Sequence, residues 1–246
     1  MGKKKQEEHV IKEATVDTDL WRTAMFGMND SLRKIVEDAS AGSDESGVVF
    51  DINAKDASGA TPLIYAARAG HVETIQYLVD NGGDVSEAGY GGLLPLHHAI
   101  NHMREPTCTL LLDLDANPNA GDEHGATALH FAAMAGALNV LVRLIEKNAD
   151  VNAATKTGTV PLHVAAQTGG DAIAAKLIEY GAELDAQDAS GNTALHYAAM
   201  IGFPTFVNAL LKNGASVKLT NGKRQIPADV AADGDIAALL KKSATA

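Results

Sequence analysis

The chain of 246 residues holds one cysteine, Cys108, so no internal disulfide can form. That scarcity, with no secretory leader read ahead of the first structural segment, points to a reducing intracellular compartment, the cytoplasm, with the nucleus as the alternative. No apolar run approaches the roughly 18 residues of a membrane-spanning helix. Gln6 stands where an acylation signal after Gly2 needs Ser or Thr. Basic residues are in deficit as well: 20 Lys and Arg against 31 Asp and Glu leave a net charge of −11. A groove for nucleic acid needs the opposite sign, so a polyanion is not the expected main ligand. Lys3, Lys4 and Lys5 read as a solvated tail. Catalytic motifs are lacking too. No Cys or Ser is paired with a positioned base, and Ser31 and Lys34 make an S-x-x-K only by chance on an amphipathic helix. Gly89 to Gly92 has neither the preceding strand nor the Gly-Lys-Ser/Thr ending of a phosphate loop. The expectation is a non-enzyme with no catalytic residue, cofactor or resident metal.

What the sequence has instead is a period. Thr61, Leu94, Thr127, Val160, Thr193 and Ile226 stand 33 residues apart and open the phrases TPLIYA, LPLHHA, TALHFA, VPLHVA, TALHYA and IPADVA. Two residues after the first five anchors comes Leu63, Leu96, Leu129, Leu162 or Leu195, and five residues after them Ala66, Ala99, Ala132, Ala165 or Ala198. Further on lie the aliphatic pairs Leu78-Val79, Leu111-Leu112, Leu144-Ile145, Leu177-Ile178 and Leu210-Leu211. At helical spacing these predict two short antiparallel helices per repeat, with the alanines allowing close approach and both members of each pair buried.

Gly70, Gly136, Gly169 and Gly202 supply the left-handed residue after the first helix; Gly82, Gly181 and Gly214, with Asn148 as a substitute, do so after the second. Turns such as Asp56-Ala57-Ser58-Gly59, flanked by extended residues, predict hairpin-like fingers. Repeat three departs from the pattern. Met103 and Asp115 replace its two glycines and Pro106 enters its second helix, predicting a distorted turn from Asn101 to Pro106.

Counting back from Thr61 exposes a disguised first repeat opened by Thr18, with surplus polar residues at 40–49. Ser43 and Ser46 there lie beside Asp44 and Glu45, resembling an acidophilic kinase site. The expected organisation is a tail at 1–12, one repeat domain at 13–242 and a tail at 243–246. The repeats fall at about 13–55, 56–88, 89–121, 122–154, 155–187, 188–220 and a shortened 221–242.

A period of 33 with T-P-L-H-x-A resembles the ankyrin-repeat family, over about Glu13 to Lys242. The resemblance implies an all-α solenoid of seven stacked helix-turn-helix repeats with finger loops. It also implies a protein-binding scaffold or adaptor that works through finger tips and the inner, concave helices. Carried onto this chain, tip positions include Tyr90, Leu93, Glu123, His124 and Lys156, and exposed inner-helix positions are Met25, Phe26, Arg68, Asn101, His102, Met134, Gln167, Met200 and Ile201. The partner is expected to be another protein, neither nucleic acid nor membrane, engaged by a monomer. In length and repeat number the chain also resembles the gankyrin-like proteasome-assembly chaperones of that family.

Histidines invite a rival, metal-dependent reading. His97, His98, His102 and Cys108 form the best local cluster, while His97, His130, His163 and His196 share one place in the phrase. That period puts the four one per layer, about 10 Å apart and too far for a single zinc ion. The structural expectation is that each imidazole bonds finger backbone, and that Cys108, at a core place in its repeat, is an inert buried thiol. Finger-base asparagines such as Asn119 and Asn152 are candidates for modification by an enzyme.

Overall fold

The anchor phrase starts a helix for a reason visible at Thr61. Its backbone is extended (φ −85°, ψ 162°), its side chain accepts a hydrogen bond from the amide of Ile64, and Pro62 takes the first helical place, where no amide donor is needed. The same logic recurs along the computed structural model, which describes residues 20–41 and 50–244. Outside them lie Thr18, the lysine tail, residues 42–49 with Ser43 and Ser46, and residues 245–246.

The described chain forms two compact units, one ending at Asn117 and one beginning at Pro118. The first holds three helix pairs: α1 (residues 20–26) with α2 (Asn29–Ala41), α3 (Pro62–Ala69) with α4 (Val72–Asp80), and α5 (Pro95–Asn101) with α6 (Glu105–Asp113). The second holds α7 (Ala128–Ala135) with α8 (Leu138–Glu146), α9 (Pro161–Thr168) with α10 (Asp171–Glu179), and α11 (Ala194–Ile201) with α12 (Pro204–Lys212). It ends in a one-turn 3-10 helix, Pro227–Asp229, paired with α13 (Gly234–Ser243). Among the described residues there is no strand, only an isolated bridge between Gly121 and Thr127. Nor is any described helix long and apolar enough to cross a membrane. The α2 helix takes in residues 40 and 41 of the expected insertion, and α13 reaches Ser243 of the expected tail.

Within each unit, first helices stack on first helices, α3 on α5, and α7 on α9 on α11. The alanines make this possible: Ala66, Ala99, Ala132, Ala165 and Ala198 are fully buried, as are Leu129 and Leu195. The aliphatic pairs depart from expectation. Leu78, Leu144, Leu177 and Leu210 are buried, but Val79, Ile145, Ile178 and Leu211 are only half-buried; Leu112 is the exception. Adjacent helical residues point about 100° apart, so a two-layer stack covers one of them and the core stripe instead runs back three residues, to Ile75, Cys108, Leu141, Ala174 and Val207.

The turn of repeat three is not distorted. Met103 (φ 55°) and Asp115 (φ 62°) adopt the left-handed backbone used by glycine elsewhere. The amide of Arg104 bonds the carbonyl of Ala99 at 2.8 Å, as that of His71 bonds Ala66 at 3.0 Å. Residues 101–106 are all exposed, and the turn is closed by that backbone bond, so Met103 takes up the strain instead of the chain changing course. The last pair is shortened as expected, and Asp233 caps α13 by accepting from the amide of Ile236.

Candidate functional site

The histidines at the third helical position are structural fasteners. Nδ1 of His97, His130, His163 and His196 accepts the backbone N–H of Leu94, Thr127, Val160 and Thr193, at 3.1 to 3.2 Å. In the second unit Nε2 faces a carbonyl oxygen: Thr159 for His130 and Ala186 for His163, both at 2.9 Å, and Gln225 for His196 at 3.0 Å. An amide only donates and a carbonyl only accepts, which fixes each of these three rings as the neutral Nε2–H tautomer. Burial pushes all three below the ordinary histidine range, partly opposed by the bond to the carbonyl.

The cluster in repeat three is dispersed by its own helix. His97 is buried on α5, whereas His102 caps that helix from the exposed side, its Nδ1 2.9 Å from the carbonyl of His98. Cys108 lies in the α6 core, 1% exposed, and burial pushes its thiol up to about 12. A thiol so seldom ionised is a poor ligand and a poor nucleophile. Among the described residues no group of three or more His, Cys, Asp or Glu side chains is placed to hold a metal ion.

Each finger is a five-residue loop in which the first amide bonds the fifth carbonyl, as in Asp56 to Ala60, Asp122 to Ala126, Thr155 to Thr159 and Asp188 to Asn192. The carboxylate at the base reinforces it. Oδ1 of Asp56 accepts from the amides of Ser58 and Ala60, and its Oδ2 takes the hydroxyl of Tyr65 at 2.7 Å. In the second unit successive fingers are also joined through backbone: Lys156 to His124, Ala189 to Thr157 and Gly222 to Ser190, at 2.8 to 2.9 Å. The tips there form one ridge of fixed spacing.

Asparagine clamps tie repeat to repeat below the tips. Asn152 donates to the carbonyl of Gly181 and accepts the amide of Glu183; Asn119 does the same with Asn148 and Asp150, and Asn53 with Gly82 and Asp84. Both ends of these side chains are therefore engaged, including those of the two modification candidates.

The residues singled out for partner contact are mostly at the surface. In the first unit Phe26 is 60% and Tyr90 86% exposed, with Met25, Arg68, Asn101 and His102 also exposed; Leu93 is half-buried. In the second unit Met134, Met200, Ile201 and Gln167 are exposed along the first helices, and Glu123, His124 and Lys156 at the tips. Three exposed apolar side chains escaped sequence reasoning: Met28, Met103 and Tyr180. All sit in turns or at helix ends, where periodicity carries no signal.

Stacked helix pairs with this fastening define a class of protein, the repeat solenoid. A family model described as ankyrin repeats (3 copies) matches residues 20–122, 88–155, 129–221 and 162–243, and the chain belongs to the ankyrin-repeat family. Among solved structures the ankyrin repeat domain of Bcl-3, described as a unique member of the IkappaB protein family, aligns with TM-score 0.78 and 26% identity, over 91% of this chain and 97% of that one. The human ASB11 ankyrin repeat domain aligns with TM-score 0.76 and 23% identity, over 91% and 96% of the two chains, a likeness of fold. Sequence relatives match shorter stretches. A probable E3 ubiquitin-protein ligase, XBOS32 of Oryza sativa subsp. japonica, is 48% identical over 61 residues, 25% of this chain and 12% of its own. Alpha-latrocrustotoxin-Lt1a of Latrodectus tredecimguttatus is 29% identical over 85 residues, 35% of this chain and 5% of its own. The match thus covers only a small part of either relative.

Proposed function

We propose that this protein is a non-enzymatic scaffold or adaptor that holds another protein against its finger tips and inner helices. Ankyrin-repeat domains generally mediate protein–protein interaction, and the observation that carries the reading here is the set of large apolar side chains left exposed on first helices and tips within each unit. Phe26 and Tyr90 in the first unit, and Met134, Met200 and Ile201 in the second, lie in water although nothing in the fold requires it. Adaptable methionine and amphipathic tyrosine are the side chains partner surfaces favour. The finger ridge of the second unit is already held by backbone bonds, so ordering it on binding adds little entropic cost. We propose that it acts as a monomer in the cytoplasm or nucleus.

The test is site-specific photo-crosslinking in native extract. A photoreactive side chain at Tyr90, Met134 or Met200 should couple to one recurrent protein, and alanine at Tyr90 with Met134 should weaken its capture without lowering thermal stability. Coupling only from Tyr180, at the end of a second helix, would place the interface on the wrong side and overturn the proposal.

A further inference from the structure

Charge is distributed unevenly in this acidic chain. The first helices of the first unit, α1, α3 and α5, contain no Asp or Glu at all; their charged side chains are Arg22 and Arg68. Among the described residues, the acids of that unit sit on second helices, as with Glu37, Glu73, Asp80 and Asp113, or in turns and fingers. Those in the fingers of that unit are engaged: Asp56 by Tyr65 and its own loop amides, Glu87 by Lys55 at 2.5 Å.

Around Arg68 the basic groups gather. Nε of Arg104 reaches the carbonyl of Arg68 at 3.3 Å, its stem lying where a side chain on Gly70 would sit. His98 is half-buried on α5, which packs against α3, the helix that carries Arg68. Arg68 and His102 are themselves exposed, and no carboxylate pairs with Arg68 among the described residues. Exposed Phe26, Tyr90 and Met103 stand on the same unit.

We infer that the inner face of the first unit, centred on Arg68 and His102, takes an acidic peptide segment of the partner whose carboxylates alternate with apolar or aromatic residues. The inference rests on the protein-binding reading and adds the partner's chemistry to it. The charges of Arg68 and Arg104 on an acidic body attract carboxylates and repel the wrong partners, while exposed apolar side chains of the same unit supply affinity. A neutral or basic segment would leave Arg68 facing no counter-charge.

A displayed library of random short peptides is selected on the full chain and on its Arg68→Glu and His102→Glu variants, with melting curves verifying that both fold. The wild type should enrich sequences with excess Asp and Glu. Arg68→Glu should reverse the bias and weaken a selected acidic peptide about tenfold, as should replacing that peptide's Glu by Gln. Enrichment without charge bias, or bias unmoved by Arg68→Glu, overturns the inference and leaves the protein-binding reading standing. No enrichment over an unrelated bait counts against both. Oligo(dT) binding that Arg68→Glu abolishes, with no charge bias in the peptides, would assign the patch to nucleic acid and overturn the inference as well.

Discussion

Nε2 of His196 lies 3.0 Å from the carbonyl oxygen of Gln225, 29 residues further on, while its Nδ1 accepts the amide of Thr193. One neutral ring therefore caps its own helix and holds the finger of the next repeat. His130 does the same across the same interval with Thr159.

Protonation breaks that arrangement, because Nδ1 then carries a proton and faces an amide donor. Burial holds the folded values of His130, His163 and His196 below the unfolded value of about 6.5. The unfolded chain thus binds more protons below that pH, and their contribution, fully present above it, is lost as pH falls. Thermal midpoints should be level from pH 8 to 7 and drop from pH 6.5 to 5. His163→Gln should be less stable at pH 7 and show a shallower acid limb; an unchanged limb in that variant would contradict the assignment.

Met103 at φ 55° keeps a left-handed conformation that costs a side-chain-bearing residue about 1 kcal/mol. Met103→Gly should relieve it, but glycine's extra freedom in the unfolded chain offsets about 0.5–1 kcal/mol, so the net gain should not exceed about 0.5 kcal/mol. Gly181→Ala is the converse. A Cβ there meets nothing within 4 Å, so its net loss of about 1 kcal/mol reports the strain of φ 85° less the entropy alanine removes from the unfolded chain. Urea midpoints at constant m-value measure both.

Leu129 is fully buried and Met134, five residues on in α7, is 53% exposed. Leu129→Ala should cost about 2–5 kcal/mol through the cavity left behind. Met134→Ala should stay within about 0.5 kcal/mol of wild type. Comparable losses in calorimetry would mean that Met134 is packed rather than presented to a partner.

Asn152 spans two repeats through two backbone groups, at 3.2 Å to Gly181 and 2.8 Å to Glu183. Asn152→Ala should cost about 1–2 kcal/mol. Hydrogen exchange at the Glu183 amide should speed up more than at the Leu177 amide within α10. Uniform acceleration of both would show global destabilisation without a local clamp.

Much of this was open to a reader of the residues alone. The place of Leu63, Leu129 and Leu195 in the core, the inert setting of Cys108, the second helix's left-handed closure at Asn148, and the bonding of His130 and His196 to finger backbone all follow from a 33-residue repeat with helical spacing, whereas His163 reaches Ala186, just ahead of its finger. Other features were not open to it. Propensity argues against a left-handed Met103, yet the bond from the Arg104 amide to Ala99 closes the turn as it is closed after Gly70. Spacing alone treats Leu78 and Val79 alike, yet one is enclosed and the other half exposed. Leu93 reads as a tip residue and is half-buried.

By itself the sequence determined the family, the helix pairs, their caps and the buried stripe, because these depend on residues within one repeat and on the period that copies it. The tertiary structure alone decided which groups of different repeats share a surface: Arg104 against the carbonyl of Arg68, or the ridge joined from His124 to Gly222. Exposure and electrostatic neighbourhood are properties of what the next layer covers, and no single repeat contains that information.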